Sequence, residues 1–134
     1  LYKLISKIHT RIMKFNHTNL GEKILGDHIL LLETIGKKTN QVRKTPLTYA
    51  NHKNDFIVAA SYSGNDKTPD WFHNLSTYNP YITIDNVRFE ATYELIDTSE
   101  KDYYWSLLDE VYPTFQMYRN RTSRDIPLIK FTKA

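Results

Sequence analysis

Tyr81-Ile82-Thr83-Ile84-Asp85-Asn86-Val87-Arg88-Phe89-Glu90-Ala91-Thr92-Tyr93-Glu94-Leu95 is the stretch that decides the fold. Two β-prone runs flank Asp85-Asn86, a dipeptide that tolerates the backbone of a tight hairpin turn. In the second arm Val87, Phe89, Ala91 and Tyr93 alternate with polar residues, which predicts one apolar face. An antiparallel hairpin is therefore expected here, and with it a sheet built from local pairings.

The flanking segments extend that pattern. Upstream, Ile29 to Leu32 is continuously apolar and runs into Gly36-Lys37-Lys38-Thr39-Asn40, a strand entering a turn after which a second strand should follow. Thr45 to Ala50 and Phe56 to Ser61 flank the polar loop 51–55 and are expected to pair. Thr68-Pro69-Asp70-Trp71 supplies a cap, a first-turn proline and an acid, so a short helix should run to about Thr77 before Asn79-Pro80 stops it. Downstream, Ser99 to Asp102 resembles a capping box, and Tyr104, Leu107, Leu108 and Val111 recur at helical spacing. Pro113 disfavours helix at Tyr112, so a bend should precede a last turn carrying Phe115 and Tyr118. Ile126 to Phe131 reads as a closing strand. No βαβ alternation and no glycine-rich nucleotide fingerprint occur. The expected fold is mainly β, a small barrel of about six antiparallel strands with flanking helices.

The 134 residues suit one domain, and 40% hydrophobic with 25% charged residues is the composition of an ordinary globular chain. The absence of cysteine removes disulfides and thiolate chemistry and favours a reducing compartment. No apolar run is long enough to span a bilayer and no ordered signal peptide is present, so the expected location is cytoplasmic. Residues 2–15 place Leu4, Ile5, Ile8, Ile12 and Phe15 near helical spacing among Lys3, Lys7, Arg11 and Lys14. Residues 1–20 are thus read as a basic amphipathic helix that docks on the barrel or makes peripheral contact with an anionic membrane face. Residues 21–134 form the barrel, and the two parts make a single domain.

Several segments carry candidate chemistry. Residues 36–43 combine a turn rich in backbone N–H groups with Lys37, Lys38 and Arg43, which suits a phosphate or carboxylate but also an ordinary solvated turn. At Ala59-Ala60-Ser61 small side chains would let a flat ring approach the backbone, with the Ser61 hydroxyl orienting a polar edge; barrel packing is the alternative. Trp71 and Asn74 share one face of the short helix, offering either a stacking surface and an amide or plain core. Tyr112, Phe115 and Tyr118 form either an aromatic wall over a ligand or core packing. The five histidines are scattered, so no metal site is expected.

In order and spacing, Leu30-Leu31-Leu32-Glu33-Thr34-Ile35-Gly36-Lys37-Lys38, Arg43-Lys44-Thr45-Pro46-Leu47, Ala59-Ala60-Ser61 with Gly64, Pro69 to Leu75, Tyr112-Pro113, and Arg121-Thr122 ahead of Ile126-Pro127 resemble the deazaflavin-dependent nitroreductase family, from about Ile8 to Phe131. The resemblance implies a split β-barrel similar to the flavin-mononucleotide-binding one, with coenzyme F420 in a groove between barrel and helices. By position, Lys37, Lys38 and Arg43 would hold the phosphate and acidic tail, with Thr45 and Pro46 beside the linker. Ala60 and Ser61 would face the ring, Trp71 and Asn74 would close the pocket, and Tyr112 and Tyr118 would line the substrate side.

Two positions depart from the family's pattern: Ser61-Tyr62-Ser63-Gly64 where Ser-x-Gly-Gly is frequent, and Phe115 in place of a third tyrosine. The second implies an altered substrate range. The implied activity is hydride transfer from reduced deazaflavin to a quinone or nitro compound, a chemistry in which the protein binds, orients and supplies electrostatics. Tyr112, Tyr118 and Ser61 are then the catalytic candidates. A flavin mononucleotide (FMN) oxidoreductase on the same barrel, and a non-catalytic carrier of lipid or another anionic small molecule, are the alternatives. No recognition motif for nucleic acid accompanies the basic turn.

Overall fold

The computed structural model describes residues 28–61 and 67–134. The expected helix over residues 1–20 lies outside them. The elements are β1 (Ile29–Ile35), β2 (Val42–Thr48), β3 (Ala50–His52), β4 (Asp55–Ala59), α1 (Asp70–Asn74), β5 (Tyr81–Ile84), β6 (Val87–Leu95), a 3-10 turn (Thr98–Glu100), α2 (Lys101–Val111), α3 (Thr114–Arg121) and β7 (Leu128–Lys133).

All pairings are antiparallel and the strand order is β2-β1-β5-β6-β7-β4-β3. That order forces the sheet to close on itself. The outermost strands β2 and β3 are separated only by Tyr49, so Thr48 and Ala50 lie within about 7 Å. Laid flat, seven strands would hold their edges about 29 Å apart. The run from Val42 to His52 is thus one long bent strand that closes the barrel, which is why seven strands stand where about six were expected. β6 plays the same part on the other side: Val87–Glu90 pair with β5, and Ala91–Leu95 pair with β7.

The hairpin of β5 and β6 turns at Asp85 and Asn86, with φ of 50° and 66°. Two consecutive left-handed residues make the turn whose twist matches the strands it joins. The expected apolar face of β6 is narrower than its alternation suggested. Ala91 is buried and Phe89 is partly so, but Val87 and Tyr93 are exposed, because β6 crosses from one half of the barrel to the other. The pairing expected between 45–50 and 56–61 also differs. Residues 42–48 pair with β1, and only Ala50–His52 pair with β4, around a turn at Lys53 and Asn54.

Two apolar clusters sit on the two faces of β4 and β7. Leu30, Leu32, Leu47, Tyr49, Val58, Ala60, Trp71, Ile82, Ile129 and Phe131 fill the barrel. Ile57, Ala59 and Leu128 turn outward with Ala50 onto Tyr104, Trp105 and Leu108 of α2 and Phe115 of α3. Burial on both faces explains why Phe56 to Ala60 reads as an unbroken apolar run. Phe131 is fully buried, and truncation to alanine there would cost about 3–5 kcal/mol.

The helix starts differ from their sequence signatures. Pro69, not Thr68, is the N-cap of α1, and the helix ends at Asn74 rather than near Thr77. The segment 99–102 forms no reciprocal capping box; Ser99 instead donates to Asp97 at 2.5 Å, and a 3-10 turn leads into α2. The closing strand starts at Leu128 rather than Ile126, and Ile126 packs in the outer cluster.

Candidate functional site

The β1–β2 hairpin closes at Ile35 and Val42, leaving Gly36–Gln41 as the turn. Gly36 donates to the Gln41 carbonyl at 2.7 Å, and Asn40, at φ 58°, donates to the Gly36 carbonyl at 2.8 Å. Gly36 is needed for space: a Cβ there would come 2.5 Å from Thr39 Oγ1 and 3.7 Å from Arg43 Nε. The Arg43 guanidinium therefore folds back over the turn, next to the segment that carries Lys37 and Lys38. All three cations are exposed, and among the described residues none is in a salt bridge. Thr45 is half-buried and Pro46 buried further along β2.

Asn74 reaches this turn from α1. Its side-chain carbonyl accepts the Lys37 backbone N–H at 2.9 Å, and its amide donates to Thr34 Oγ1 at 3.3 Å. Asn74 and Thr34 are 6% and 4% exposed, so this is a buried tether. The sequence reading gave Asn74 a pocket-closing amide; in the structure both ends of that amide are engaged with protein. Trp71, three residues earlier and therefore on the same face of α1, is buried in the barrel interior. Its Nε1 has no hydrogen-bond partner among the described residues.

β4 ends beside this interior. Ala60 is fully buried and packs with Trp71 in the same cluster, so its side chain serves the core. Both of its backbone groups are taken by the segment before β7: Ala60 N–H donates to the Pro127 carbonyl at 2.9 Å, and Arg124 Nη2 donates to the Ala60 carbonyl at 3.0 Å. Ser61 follows, 7% exposed, with an Oγ that lacks a partner among the described residues. Native proteins rarely leave buried donors unmet. Two such donors, on Ser61 and Trp71, border the strand end where the sequence placed a flat ring.

The aromatic group on α2 and α3 lies against the other face of β4. The hydroxyls of Tyr112 and Tyr118 are 3.3 Å apart, and both rings pack on the outer cluster. Phe115 is buried against them, with edge-on contacts to Tyr112, Tyr118 and Trp105 at 5.1, 6.2 and 6.0 Å. The helices are locked by Arg119, which grips Asp109 with two bonds of 2.8 Å and lies 4.2 Å over the Trp105 ring.

The sequence candidates thus fall into two groups. Lys37, Lys38, Arg43, Asn74 and Trp71 belong to the hairpin turn and the barrel interior; Tyr112 and Tyr118 belong to the outer helices. The end of β4 lies between, with Ala60 in one cluster and Ala59 in the other. Sequence reasoning missed Thr34 and Arg124. Arg124 stands two residues before Ile126-Pro127, in a segment already singled out, but nothing in its spacing showed that it reaches Ala60. Among the described residues no group of three or more His, Asp or Glu side chains could hold a metal, and no helix is long and apolar enough to cross a membrane.

Comparison with known proteins adds to this geometry. The model of the F420H(2)-dependent quinone reductase family matches residues 5–132. An F420H(2)-dependent quinone reductase of Mycobacterium tuberculosis is 35% identical over 134 residues, covering 95% of this chain and 89% of its own. The solved structure of an F420-H2 dependent reductase superposes with a TM-score of 0.69 at 25% identity, over 78% of this chain and 93% of that one. A structure described as a domain-swapped dimer superposes with a TM-score of 0.72 at 25% identity, over 93% and 94%. A heme storage protein of Vibrio cholerae shares the fold at 11% identity and a TM-score of 0.60, over 87% and 88%.

Proposed function

The chain belongs to the F420H(2)-dependent quinone reductase family, and from that premise we propose which of its residues hold the deazaflavin and which serve the electron acceptor. It is an F420-dependent reductase on a split β-barrel. The observation that carries the assignment of its site is the juxtaposition of a basic turn, tethered by Asn74 and without a salt bridge among the described residues, with two buried donors, on Ser61 and Trp71, that lack partners among the described residues.

The residues present fit the coenzyme. Lys37, Lys38 and Arg43 offer a cationic corner for its phosphate and acidic tail, with Thr45 and Pro46 alongside the linker. In this reading Ser61 Oγ and Trp71 Nε1 meet polar edges of a flat ring at the end of β4, which would remove the desolvation cost each otherwise carries. Ala60 supplies backbone without side-chain bulk. Asn74 serves the coenzyme indirectly, by holding the basic turn.

When bound, the reduced deazaflavin supplies a hydride. The protein's own work is to align the acceptor and to favour its reduced form. Tyr112 and Tyr118 present hydroxyls 3.3 Å apart, and either one can donate a hydrogen bond to an acceptor oxygen on which negative charge develops while the other supports it. A quinone suits this pair best, being flat and carrying oxygens that such donors polarise; a nitro compound offers the same geometry and is the convenient assay substrate. Phe115, packed against both rings, brings no hydroxyl to this task.

The test is a fluorescence titration with oxidised coenzyme F420 and, separately, with FMN, on wild type and on Lys38→Ala combined with Arg43→Ala. Selective F420 binding that weakens at least about tenfold in the double variant is the expected result. Preference for FMN, or equal F420 binding by wild type and variant, would overturn the proposed clamp.

A further inference from the structure

Residues 122–127, which connect α3 to β7, are held at several points. Lys101, buried on α2, pairs with Asp125 at 2.7 Å, and the Arg124 backbone N–H donates to Thr122 Oγ1 at 3.2 Å. Ile126 is buried in the outer cluster. Two further contacts converge on one residue of another element: Pro127 accepts from Ala60 N–H, and Arg124 donates to the Ala60 carbonyl. Ala60 lies beyond the last residue of β4 that pairs with β7, Ala59. Without these two bonds nothing in the sheet ladder would fix the backbone of Ala60, and hence of Ser61.

Arg124 directs one N–H of a half-buried guanidinium at this carbonyl. A hydrogen bond from a charged guanidinium to a carbonyl is stronger than one from a neutral amide in the same place. Arg124 also follows directly on the helix that carries Tyr118, six residues before it. It therefore joins the helix bearing Tyr118, whose hydroxyl meets that of Tyr112, to the strand end bearing Ser61.

We infer that Arg124 is a positioning residue for hydride transfer: through the Ala60 carbonyl it sets the separation between the ring side of the site, at Ala60 and Ser61, and the acceptor side, at Tyr112 and Tyr118. The inference rests on the deazaflavin reading above. It follows from the steep dependence of transfer on approach geometry, where a displacement of about 1 Å lowers the rate by orders of magnitude. Affinity for the coenzyme, carried in this reading largely by the cations of the basic turn, is much less sensitive to the same displacement.

The experiment compares wild type with Arg124→Met, which keeps bulk and removes the donor, and Arg124→Lys, which restores a cationic donor. In the coenzyme-free protein, backbone amide hydrogen exchange at Ala60 should quicken at least about tenfold in the Met variant, while that of Ile82 on β5 is unchanged. With oxidised coenzyme F420, binding should stay within about threefold of wild type, while single-turnover hydride transfer from the reduced form to a naphthoquinone falls at least about tenfold. Arg124→Lys should recover most of the rate.

Unchanged exchange at Ala60 overturns the inference. So does a parallel loss of affinity and rate that Arg124→Lys leaves unrepaired, since that marks a merely structural role. Should the Met variant fail to fold, Arg124→Gln, shorter and neutral, is read in the same way. If wild type does not bind coenzyme F420 at all, the functional reading falls, whereas exchange at Ala60 still decides whether Arg124 holds the strand end.

Discussion

The Asn74 side-chain carbonyl accepts the Lys37 backbone N–H at 2.9 Å across 37 residues of sequence, so the basic turn is held in place by a neutral residue of the helix that also carries Trp71. The amide's other end bonds Thr34 on β1. One side chain thus ties the barrel's first strand, its cationic turn and the helix over its mouth.

Asn74→Ala should lower folding stability by about 1–3 kcal/mol, because it leaves the Lys37 N–H and the Thr34 hydroxyl without their partner in a region shielded from water. Coenzyme affinity should fall further than stability alone explains, since Lys37 and Lys38 would no longer be presented in one geometry. Urea unfolding and F420 titration of the same preparation measure the two effects. Equal stability of variant and wild type would mean that water replaces the tether without loss.

Gly36→Ala tests the turn from the other side. A methyl group there meets Thr39 Oγ1 at 2.5 Å and the Gln41 carbonyl at 3.3 Å, so Thr39 must change rotamer and the turn must open slightly. The expected cost is about 1–3 kcal/mol, as for other overpacked sites. Thr39→Ala removes the nearer obstacle and should recover part of it. The measurement is a double-mutant cycle by thermal unfolding; strictly additive effects would show that the Thr39 contact is not what makes glycine necessary.

The fold was legible in the sequence wherever a local rule and a tertiary need coincide. Asp85-Asn86 announced its hairpin because the turn chemistry is local, and Tyr104 and Leu108 announced α2 because burial follows the helical period. The closure of the barrel was not legible. Nothing near Tyr49 distinguishes a strand that bends from two strands that stop, and only the pairing of Thr48 with Ile29 and Ala50 with Ile57 reveals it. Val87 and Tyr93 misled for a related reason: alternation fixes which residues share a face but not where β6 leaves one half of the barrel for the other.

At the site, residue types were legible and their partners were not. Lys37, Lys38 and Arg43 stand out as charge without acids. Asn74 stood among the candidates by resemblance, but its role as a tether depends on Thr34 and Lys37, forty and thirty-seven residues away. Arg124 carries no periodic or motif signal at all, because its partner is a backbone carbonyl, a group present in every residue.

Asp97 provides a pH-dependent marker outside the site. The Ser99 hydroxyl, followed by the Ser99 backbone N–H, holds its carboxyl below the usual carboxylate range. A carboxyl lowered on folding contributes stability that is present above its unfolded pKa, about 3.9, and is lost as pH falls through the lower folded value. Ser99→Ala should bring Asp97 back up toward ordinary titration while leaving activity at neutral pH unchanged. Carboxyl-carbon NMR titration reads this directly, and an unmoved midpoint would exclude the hydroxyl as the cause.

The tyrosine pair yields the prediction with the most mechanistic content. If Tyr112 and Tyr118 act together on the acceptor oxygen, removing either hydroxyl deprives that oxygen of a donor or deprives the donor of its support. Tyr112→Phe and Tyr118→Phe should each slow turnover by about tenfold or more, on the scale of lost transition-state hydrogen bonds. Their rings pack around Phe115 in both variants, so stability should change little. Because the hydroxyls form one unit 3.3 Å apart, the double Phe variant should be scarcely slower than the worse single one, whereas independent donors would multiply. Steady-state kcat and KM with a quinone acceptor, together with F420 affinity held constant as a control, distinguish these cases. Unchanged turnover in both single variants would remove the tyrosines from the mechanism and leave acceptor polarisation to Ser61, the remaining hydroxyl candidate, just past the end of β4.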